Sequence, residues 1–276
     1  MKTFQWPLRA FLFVGLLQIV SCTKTIDTVT NDSISLETSS DAAVANEFST
    51  CKLRRIYHDL VVHDFISSDT MKVYGLFSYN AAGNPYSLLY RDLQGSQYVN
   101  FPSYHFLYDN QQRLREMRLS YYEGTRVAQI HRYGYNSSNV IIADTTIIPD
   151  DGGNDDITVS TLTYDSLGRI TKENIKNIQT AYGPLRPARN PTYTYDARGN
   201  LAVPEWRSSW YDTKVSFLRS HPLFMFLTRN YSRNNPWNLN SQGQKYNSRG
   251  LPLSIKIGND IFFETVNIEK IVYDCQ

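Results

Sequence analysis

The chain has 276 residues, and its 28 basic residues nearly balance its 26 acidic ones, which leaves a formal net charge of +2. Lys and Arg do not gather into a basic patch, so we expect no nucleic-acid partner. The apolar run 10–20 is too short for a transmembrane helix, which needs about 20 apolar residues. These properties exclude a nucleic-acid-binding class and a helical membrane protein, and they leave a globular domain.

Residues 1–21 have the layout of a secretory signal peptide, because Lys2 and Arg9 precede the apolar run and small polar residues follow it. We therefore exclude this segment from the fold. The chain is expected to be exported.

The signal segment ends in Ile19-Val20-Ser21-Cys22, which resembles the bacterial lipobox, in which the cysteine is acylated and becomes the new N-terminus. The resemblance implies that Cys22 carries palmitate-type chains and anchors the protein to a membrane. Thr23 stands where an aspartate is associated with retention at the inner membrane, so an outer-membrane lipoprotein is expected. The alternative is an ordinary cleavage site beside a chance cysteine.

Residues 22–50 would form the lipidated cysteine and a flexible tether, because Ser, Thr, Asp and Asn dominate there. Residues 51–276 would form the folded domain. With Cys22 acylated, Cys51 and Cys275 remain as an even pair at the edges of that domain, which favours a disulfide in an exported protein. Two unpaired thiols are the alternative.

A repeated pattern runs through the domain: a tyrosine, then Asp or Asn, then two residues, then a position able to turn. Most successive tyrosines are 27 to 31 residues apart, and one interval is 51. The copies begin at Tyr79-Asn80, Tyr108-Asp109, Tyr135-Asn136, Tyr164-Asp165, Tyr195-Asp196 and Tyr246-Asn247, and Tyr273-Asp274 opens a shortened last copy.

The pattern predicts β-hairpins, because Asp and Asn side chains bond nearby backbone NH groups and start turns. The fourth residue after the tyrosine must tolerate positive φ in a type I turn with a left-handed bulge residue. Asn139 satisfies this requirement and Gln112 is an exception. The other copies have glycine there: Gly83, Gly168, Gly199 and Gly250.

Large apolar side chains stand two residues before most repeat tyrosines, which indicates strands with one buried face. These positions are Phe77, Phe106, Tyr133, Leu162, Tyr193 and Ile271, with Gln244 the exception. We therefore predict an all-β antiparallel meander. The repeat tyrosines are interpreted as structural, and ligand stacking is the alternative.

These residues resemble the YD repeats of Rhs-type bacterial proteins, whose units read Tyr-Asp-x-x-Gly-Arg-Leu. The copy at Tyr164 matches fully if Ile170 replaces Leu, and the Arg is retained only at Arg113 and Arg169. The resemblance implies hairpins that coil into an extended sheet. The chain looks most like small YD-repeat lipoproteins of Bacteroidetes-type bacteria, and it has too few repeats to wrap a toxin as large family members do.

The two ends of the domain look like two halves of one repeat. Residues 51–56 read like the half after a turn, and residues 271–274 read like the half before one. The first and last strands are therefore expected to pair as a composite hairpin stapled by Cys51 and Cys275. Such closure removes exposed sheet edges, so we expect a curled or closed meander.

The long interval contains an insertion, residues 204–240, that holds Trp206, Trp210 and Trp237. A short helix is expected after Ser220-His221-Pro222, because proline suits the first turn of a helix. The insertion is interpreted either as a plug that fills the sheet or as a binding surface for carbohydrate or peptide. The three tryptophans are the candidate binding residues.

Recognised catalytic signatures are absent from the sequence, so we predict no catalytic residue, no metal ligand and no required cofactor. The acidic loop 150–156 offers oxygen ligands for Ca²⁺, although a solvated turn is the simpler explanation. We therefore expect a non-catalytic cell-envelope module that binds a glycan or an envelope protein. The alternative is an envelope enzyme in which two carboxylates meet in space to cleave glycans.

Overall fold

The structure is a computed structural model that describes residues 51–63, 68–94, 103–121, 124, 126–202, 210–237, 244–255 and 268–275. Ten strands form one antiparallel sheet in the order β14-β1-β2-β3-β4-β5-β6-β7-β8-β9. Their bounds are β1 (Cys51–His63), β2 (Ser68–Tyr79), β3 (Pro85–Asp92), β4 (Ser103–Tyr108), β5 (Leu114–Tyr121), β6 (Arg126–Tyr135), β7 (Ile141–Ile148), β8 (Asp156–Tyr164), β9 (Ile170–Gln179) and β14 (Ile268–Cys275). The predicted all-β antiparallel meander is confirmed.

Two short hairpins complete the strands. They are β10 (Thr194–Tyr195) with β11 (Leu201–Ala202), and β12 (Trp210–Val215) with β13 (Asn234–Trp237). Among the described residues, none of the helices combines the length and the hydropathy of a membrane-spanning segment.

The strands form because apolar residues alternate along them with polar ones, which gives the sheet one buried face. Phe77 is fully buried and pairs with Leu88, and Phe106 pairs with Met117 on the next hairpin. All four belong to one core cluster. The apolar positions before the repeat tyrosines therefore supply much of the core.

Each repeat turn has the same hydrogen bonds, as the copy at Asp165 illustrates. The Asp165 NH donates to the Arg169 carbonyl at 3.0 Å, and the Gly168 NH donates to the Asp165 carbonyl at 3.1 Å. The Asp165 carboxylate accepts from the NH groups of Leu167 and Arg169 at 3.0 and 2.9 Å. Positive φ angles follow at Gly83, Gln112, Asn139, Gly168, Gly199 and Gly250.

Gln112 therefore adopts the left-handed conformation, with φ of 60°, although the sequence made it the exception. The side chain of Asp109 accepts hydrogen bonds from the Gln111 and Arg113 NH groups, both at 2.9 Å. These bonds and the paired strands on either side outweigh the cost of positive φ in a residue with a side chain.

The repeat tyrosines connect neighbouring copies through their hydroxyl groups. Six of the hydroxyls donate to backbone carbonyls at distances of 2.6 to 3.3 Å, and in five of these bonds the acceptor lies six residues after the tyrosine of the preceding copy. The pairs are Tyr79 to Leu53, Tyr108 to Pro85, Tyr135 to Leu114, Tyr164 to Ile141, Tyr195 to Ile170 and Tyr273 to Pro252.

Tyr211-Asp212 is a further Tyr-Asp pair, which the regular spacing of the copies did not reveal, and it completes this series. The Tyr211 hydroxyl donates to the Leu201 carbonyl at 2.7 Å, and the Tyr246 hydroxyl donates to the Asp212 carboxylate at 2.5 Å. The tyrosine bonds therefore run through every copy in turn. We call this series the tyrosine ring.

The tyrosine ring closes where the two ends of the domain meet. Leu53, the acceptor for Tyr79, pairs directly with Tyr273, the last donor. The pairing has the register of an ordinary copy, in which Tyr164 pairs with Ile170. The predicted disulfide between Cys51 and Cys275 is present and stands where other copies have a turn. The predicted composite hairpin is thus confirmed.

The insertion packs on the core. It forms a 3-10 turn (Phe217–Ser220) followed by helix α1 (Pro222–Thr228), as the sequence predicted. Phe224 contacts Phe77 with ring centroids 5.2 Å apart, and Phe226 contacts Tyr133 at 5.4 Å. The described part of the insertion therefore acts as a plug over the sheet.

We expect loss of the disulfide to destabilise the domain markedly, because it closes a loop of 224 residues. The chain-entropy treatment gives about 4 to 5 kcal/mol for a loop of this size. Thermal unfolding with and without reductant measures the effect, with C51S/C275S as the control that reductant should leave unchanged. An unchanged melting temperature in the reduced wild type would contradict this role.

The tyrosine ring predicts a measurable cost for removal of a single hydroxyl group. We expect Tyr135→Phe to lower the free energy of unfolding by about 1 kcal/mol, because the carbonyl of Leu114 loses its donor. Urea unfolding measures this change. Tyr86→Phe is the matched control, since Tyr86 is 48% exposed and has no described hydrogen bond, and equal effects of both changes would argue against the ring.

Candidate functional site

A groove of about 510 Å³ lies between the repeat turns and helix α1. This volume is within the usual range for ligand pockets. The repeat side contributes Asn84, Tyr108, Gln112, Arg113, Leu114, Tyr135, Asn139, Val140, Ile141, Tyr164 and Gly168, and the insertion contributes His221, Pro222, Leu223, Met225, Phe226 and Tyr231. We call it the turn groove.

One wall of the turn groove is formed by three successive members of the tyrosine ring: Tyr108, Tyr135 and Tyr164. Their hydroxyls are bonded to backbone carbonyls, so the rings are fixed before any ligand arrives. Burial raises the pKa of Tyr135 and of Tyr164 to about 12, which keeps both hydroxyls protonated as donors. The wall is therefore preformed.

Amide groups from the turns provide the polar part of the lining. The side-chain oxygen of Gln112 accepts from Asn80 at 3.3 Å, and that of Asn139 accepts from Arg113 at 2.8 Å. Each amide NH2 group keeps its donors without a described partner. No carboxylate belongs to the described lining, and Arg113 is neutralised by the Asp109 carboxylate at 2.7 Å. The groove thus offers donors but little net charge.

His221 adds one more donor from the insertion side. Its Nδ1 accepts from the Leu223 NH at 3.1 Å as the N-cap of α1, so the ring proton of the neutral histidine lies on Nε2. Burial, with a smaller effect of the charge on Lys52, lowers the pKa of His221 to about 4. The side chain is therefore a neutral donor at ordinary pH.

Arg229 holds helix α1 in place beside the groove. It is the C-cap residue of the helix, with φ of 54°, and its guanidinium donates to the Phe226 carbonyl at 2.6 Å. It also bonds Glu173 at 2.5 Å and Asp144 at 3.0 Å, two buried carboxylates of the sheet. Burial alone would lower the pKa of Arg229, but the two carboxylates outweigh it and raise that pKa.

Asp144 and Glu173 are the pair of carboxylates that the sheet brings together. Each is only 5% exposed, and each is occupied by further bonds. His131 bonds Asp144 at 2.9 Å, and the Tyr193 hydroxyl donates to Glu173 at 3.1 Å. The pair is consequently part of a buried network that anchors the plug.

The predicted tryptophan site lies mostly beyond the described structure. Trp206 is outside the described residues, and so are Cys22 and the tether. The backbone places Trp210 opposite Trp237 in the hairpin of β12 and β13, while nothing is described of their side chains. The segment Asn234-Asn235-Pro236 belongs to β13.

The predicted Ca²⁺ loop, residues 150–156, uses part of its oxygen set for local bonds. The Asp150 carboxylate accepts from the Gly152 NH at 2.9 Å and from the Tyr182 hydroxyl at 3.1 Å. The Asp156 carboxylate accepts from the Ala181 NH. In the described ranges, no three His, Cys, Asp or Glu side chains gather to hold a metal ion. Ca²⁺ binding here stays a prediction.

Sequence reasoning did not select the turn groove as a site. It named Gln112 and Asn139 only for their turn positions and His221 only as a helix start. Their convergence depends on how the insertion folds back over the turns, which no local pattern reveals. The glutamine at a turn position that normally holds glycine was the one available signal.

No protein-family model matches the chain, and no curated protein matches it. Among solved structures, a porin-like protein from Bacteroides uniformis is similar, with a TM-score of 0.36 and 9% identity over 81% of this chain and 98% of that chain. The TcdB2–TccC3–TEV structure has a TM-score of 0.29 and 15% identity over 74% of this chain and 10% of that chain.

The pore of the Photorhabdus luminescens Tc holotoxin has a TM-score of 0.20 and 14% identity, covering 73% of this chain and 12% of that chain. The chain thus spans about a tenth of the Tc toxin chains that it matches. Similarity at these TM-scores does not assign a function to this chain.

The lowered pKa of His221 predicts a loss of stability in acid. In the unfolded chain His221 takes up a proton near its ordinary pKa of 6.5, whereas in the folded chain it does so only near 4. The stabilisation that is present above pH 6.5 is therefore lost as the pH falls toward 4. We expect His221→Asn, which keeps an N-cap acceptor and cannot titrate, to lose less stability over that interval. Urea unfolding at several pH values measures the difference, and parallel curves would contradict the assignment.

Proposed function

We propose that this chain is an exported, lipid-anchored, non-catalytic binding module built from YD repeats, and that its turn groove binds a glycan. The observation that carries the proposal is the groove itself: fixed tyrosine rings on one wall, a helix on the other and amide donors between them. We place the protein in the bacterial cell envelope, at the outer membrane.

Export and anchoring are supported by the signal layout and by the lipobox-like segment that ends at Cys22. The disulfide between Cys51 and Cys275 suits an oxidising compartment outside the cytoplasm. A tether of residues 22–50 would hold the domain away from the bilayer.

Membership of the YD-repeat class is supported by the shared role of each motif position. Six turns repeat one Asp or Asn hydrogen-bond pattern, and a residue with positive φ follows in each. The tyrosine of one copy bonds the preceding copy, which gives a physical reason for the tyrosine at the start of the motif. Arg169 extends the motif by bonding Asp165 and packing over the Tyr195 ring at 4.1 Å.

A glycan is favoured as the ligand because sugar hydroxyls both donate and accept hydrogen bonds, as amide side chains do. Aromatic faces suit the apolar side of a sugar ring, and a ligand of low charge suits a lining without described carboxylates. The preformed walls would keep the entropic cost of binding low.

Binding is favoured over glycan cleavage by the state of the carboxylate pair. A glycosidase needs two carboxyl groups that flank the scissile bond in an accessible cleft. Asp144 and Glu173 are instead buried and share the guanidinium of Arg229. They hold the plug, which leaves the tyrosines and amides of the groove to meet a ligand.

The test is a thermal-shift screen of residues 23–276 against envelope and host glycans with and without Ca²⁺. A ligand that binds the native state raises the melting temperature in a saturable way. We expect Val140→Trp, which fills the groove rim, to abolish that shift. Ile142→Trp is the matched control, because Val140 and Ile142 are 38% and 40% exposed and only Val140 lines the groove.

The tryptophans of the insertion provide a second arm of this test. If alanine at Trp206, Trp210 and Trp237 removes the shift while Val140→Trp leaves it unchanged, the glycan site lies on the tryptophans and the groove assignment is wrong. If no glycan shifts the melting temperature, glycan binding is wrong, and cross-linking in the intact envelope would then identify a protein partner.

A further inference from the structure

A cluster on the other face of the sheet contains two arginines and one buried glutamate. Glu116 of β5 is only 6% exposed, and its two carboxylate oxygens accept from Arg118 Nε at 2.5 Å and from Arg132 Nε at 3.2 Å. Arg132 lies directly across from Glu116 on β6. Met117, between Glu116 and Arg118, belongs to the core, so its neighbours face away from the core.

The two guanidinium groups are only partly used by this cluster. Each reaches Glu116 through Nε alone, and their Nη groups have no partner among the described residues. By contrast, Arg113 grips Asp109 through both Nε and Nη2. The side chains of Arg118 and Arg132 are 47% and 60% exposed, so their free Nη groups are open to solvent.

The charges of the cluster do not balance, since two guanidinium groups share one carboxylate. The neighbours across the strands add no further acid: His105 and Ile130 pair with Arg118, and Thr145 pairs with Arg132. Burial lowers the pKa of His105, and the charge of Arg118 lowers it further, so this histidine is neutral at ordinary pH. One positive charge is left over beside two unoccupied donor groups.

We propose that Arg118 and Arg132 form a clamp for a phosphate group, with Glu116 as the positioning residue. Glu116 fixes the two guanidinium groups side by side, and a phosphate has enough oxygens to bridge their Nη groups from the solvent side. Arginine forks match phosphate geometry through paired, charge-assisted hydrogen bonds. The phosphate belongs either to a lipid headgroup or to a soluble phosphate ester. The clamp shares no residue with the turn groove and does not depend on the glycan proposal.

The experiment uses residues 23–276, so that no lipid anchor contributes to membrane binding. Inorganic phosphate is titrated while the arginine Nε–H signals are followed by NMR. Flotation with vesicles of phosphatidylcholine, with and without phosphatidylglycerol, tests the lipid source. The variants are Arg118→Gln and Arg132→Gln, each of which leaves Glu116 one arginine partner. Arg115→Gln, an exposed arginine of the same strand, is the control with the same change in charge.

We expect phosphate to shift the Nε–H signals of Arg118 and Arg132, and each clamp variant to bind phosphate about tenfold more weakly. Arg115→Gln should bind like the wild type, and melting curves check that every variant is folded. Flotation with phosphatidylglycerol vesicles that both clamp variants lose assigns a lipid headgroup, whereas phosphate binding without flotation assigns a soluble ester. Equal weakening by Arg115→Gln, or wild-type phosphate affinity in both clamp variants, would overturn the clamp.

Discussion

The hydrogen bond from each repeat tyrosine to the preceding copy is the interaction on which the rest of this structure depends. It links copies that the sheet already pairs, as the bond from the Tyr135 hydroxyl to the Leu114 carbonyl illustrates. A single bond of this kind contributes about 1 kcal/mol. The series matters because it closes: Tyr273 pairs with Leu53, so the last donor meets the first acceptor, and the disulfide covalently secures that junction.

Because the tyrosine ring is closed, the insertion packs against a rigid surface and forms the turn groove there. The aromatic side chains of Tyr108, Tyr135 and Tyr164 form a fixed wall opposite the plug. Phe224 packs on Phe77, and Arg229 ties the end of α1 to carboxylates of two strands. Removal of Arg229 would leave Asp144 and Glu173 buried with one fewer partner, which is costly. The tyrosine ring and the buried ion pairs of Arg229 therefore both make the turn groove rigid.

Much of the fold could be predicted from local chemistry, because four of the six repeat turns combine Asp or Asn with a glycine three residues later, a pattern that favours a turn. The composite hairpin could be predicted as well, since its halves match the motif around Cys51 and Cys275. Tyr211 was missed because Val215, four residues on, offers no turn, and only the three-dimensional bond to Leu201 shows its role. The groove was missed for a related reason: Gln112 and His221 come together through tertiary packing, which a periodic pattern does not encode.

The two faces of the sheet differ in how their buried carboxylates are paired with arginines. The core face is packed by the plug, and its buried carboxylates, Asp144 and Glu173, are both paired with Arg229 within the protein. On the other face, Glu116 is also buried, but it has two partners that remain half exposed. Burying a carboxylate requires compensation, and on the core face Asp144 and Glu173 share the single guanidinium group of Arg229. Glu116 by itself has two arginine partners, which is more than its single negative charge requires. The surplus positive charge faces solvent, where a phosphate group can bind it.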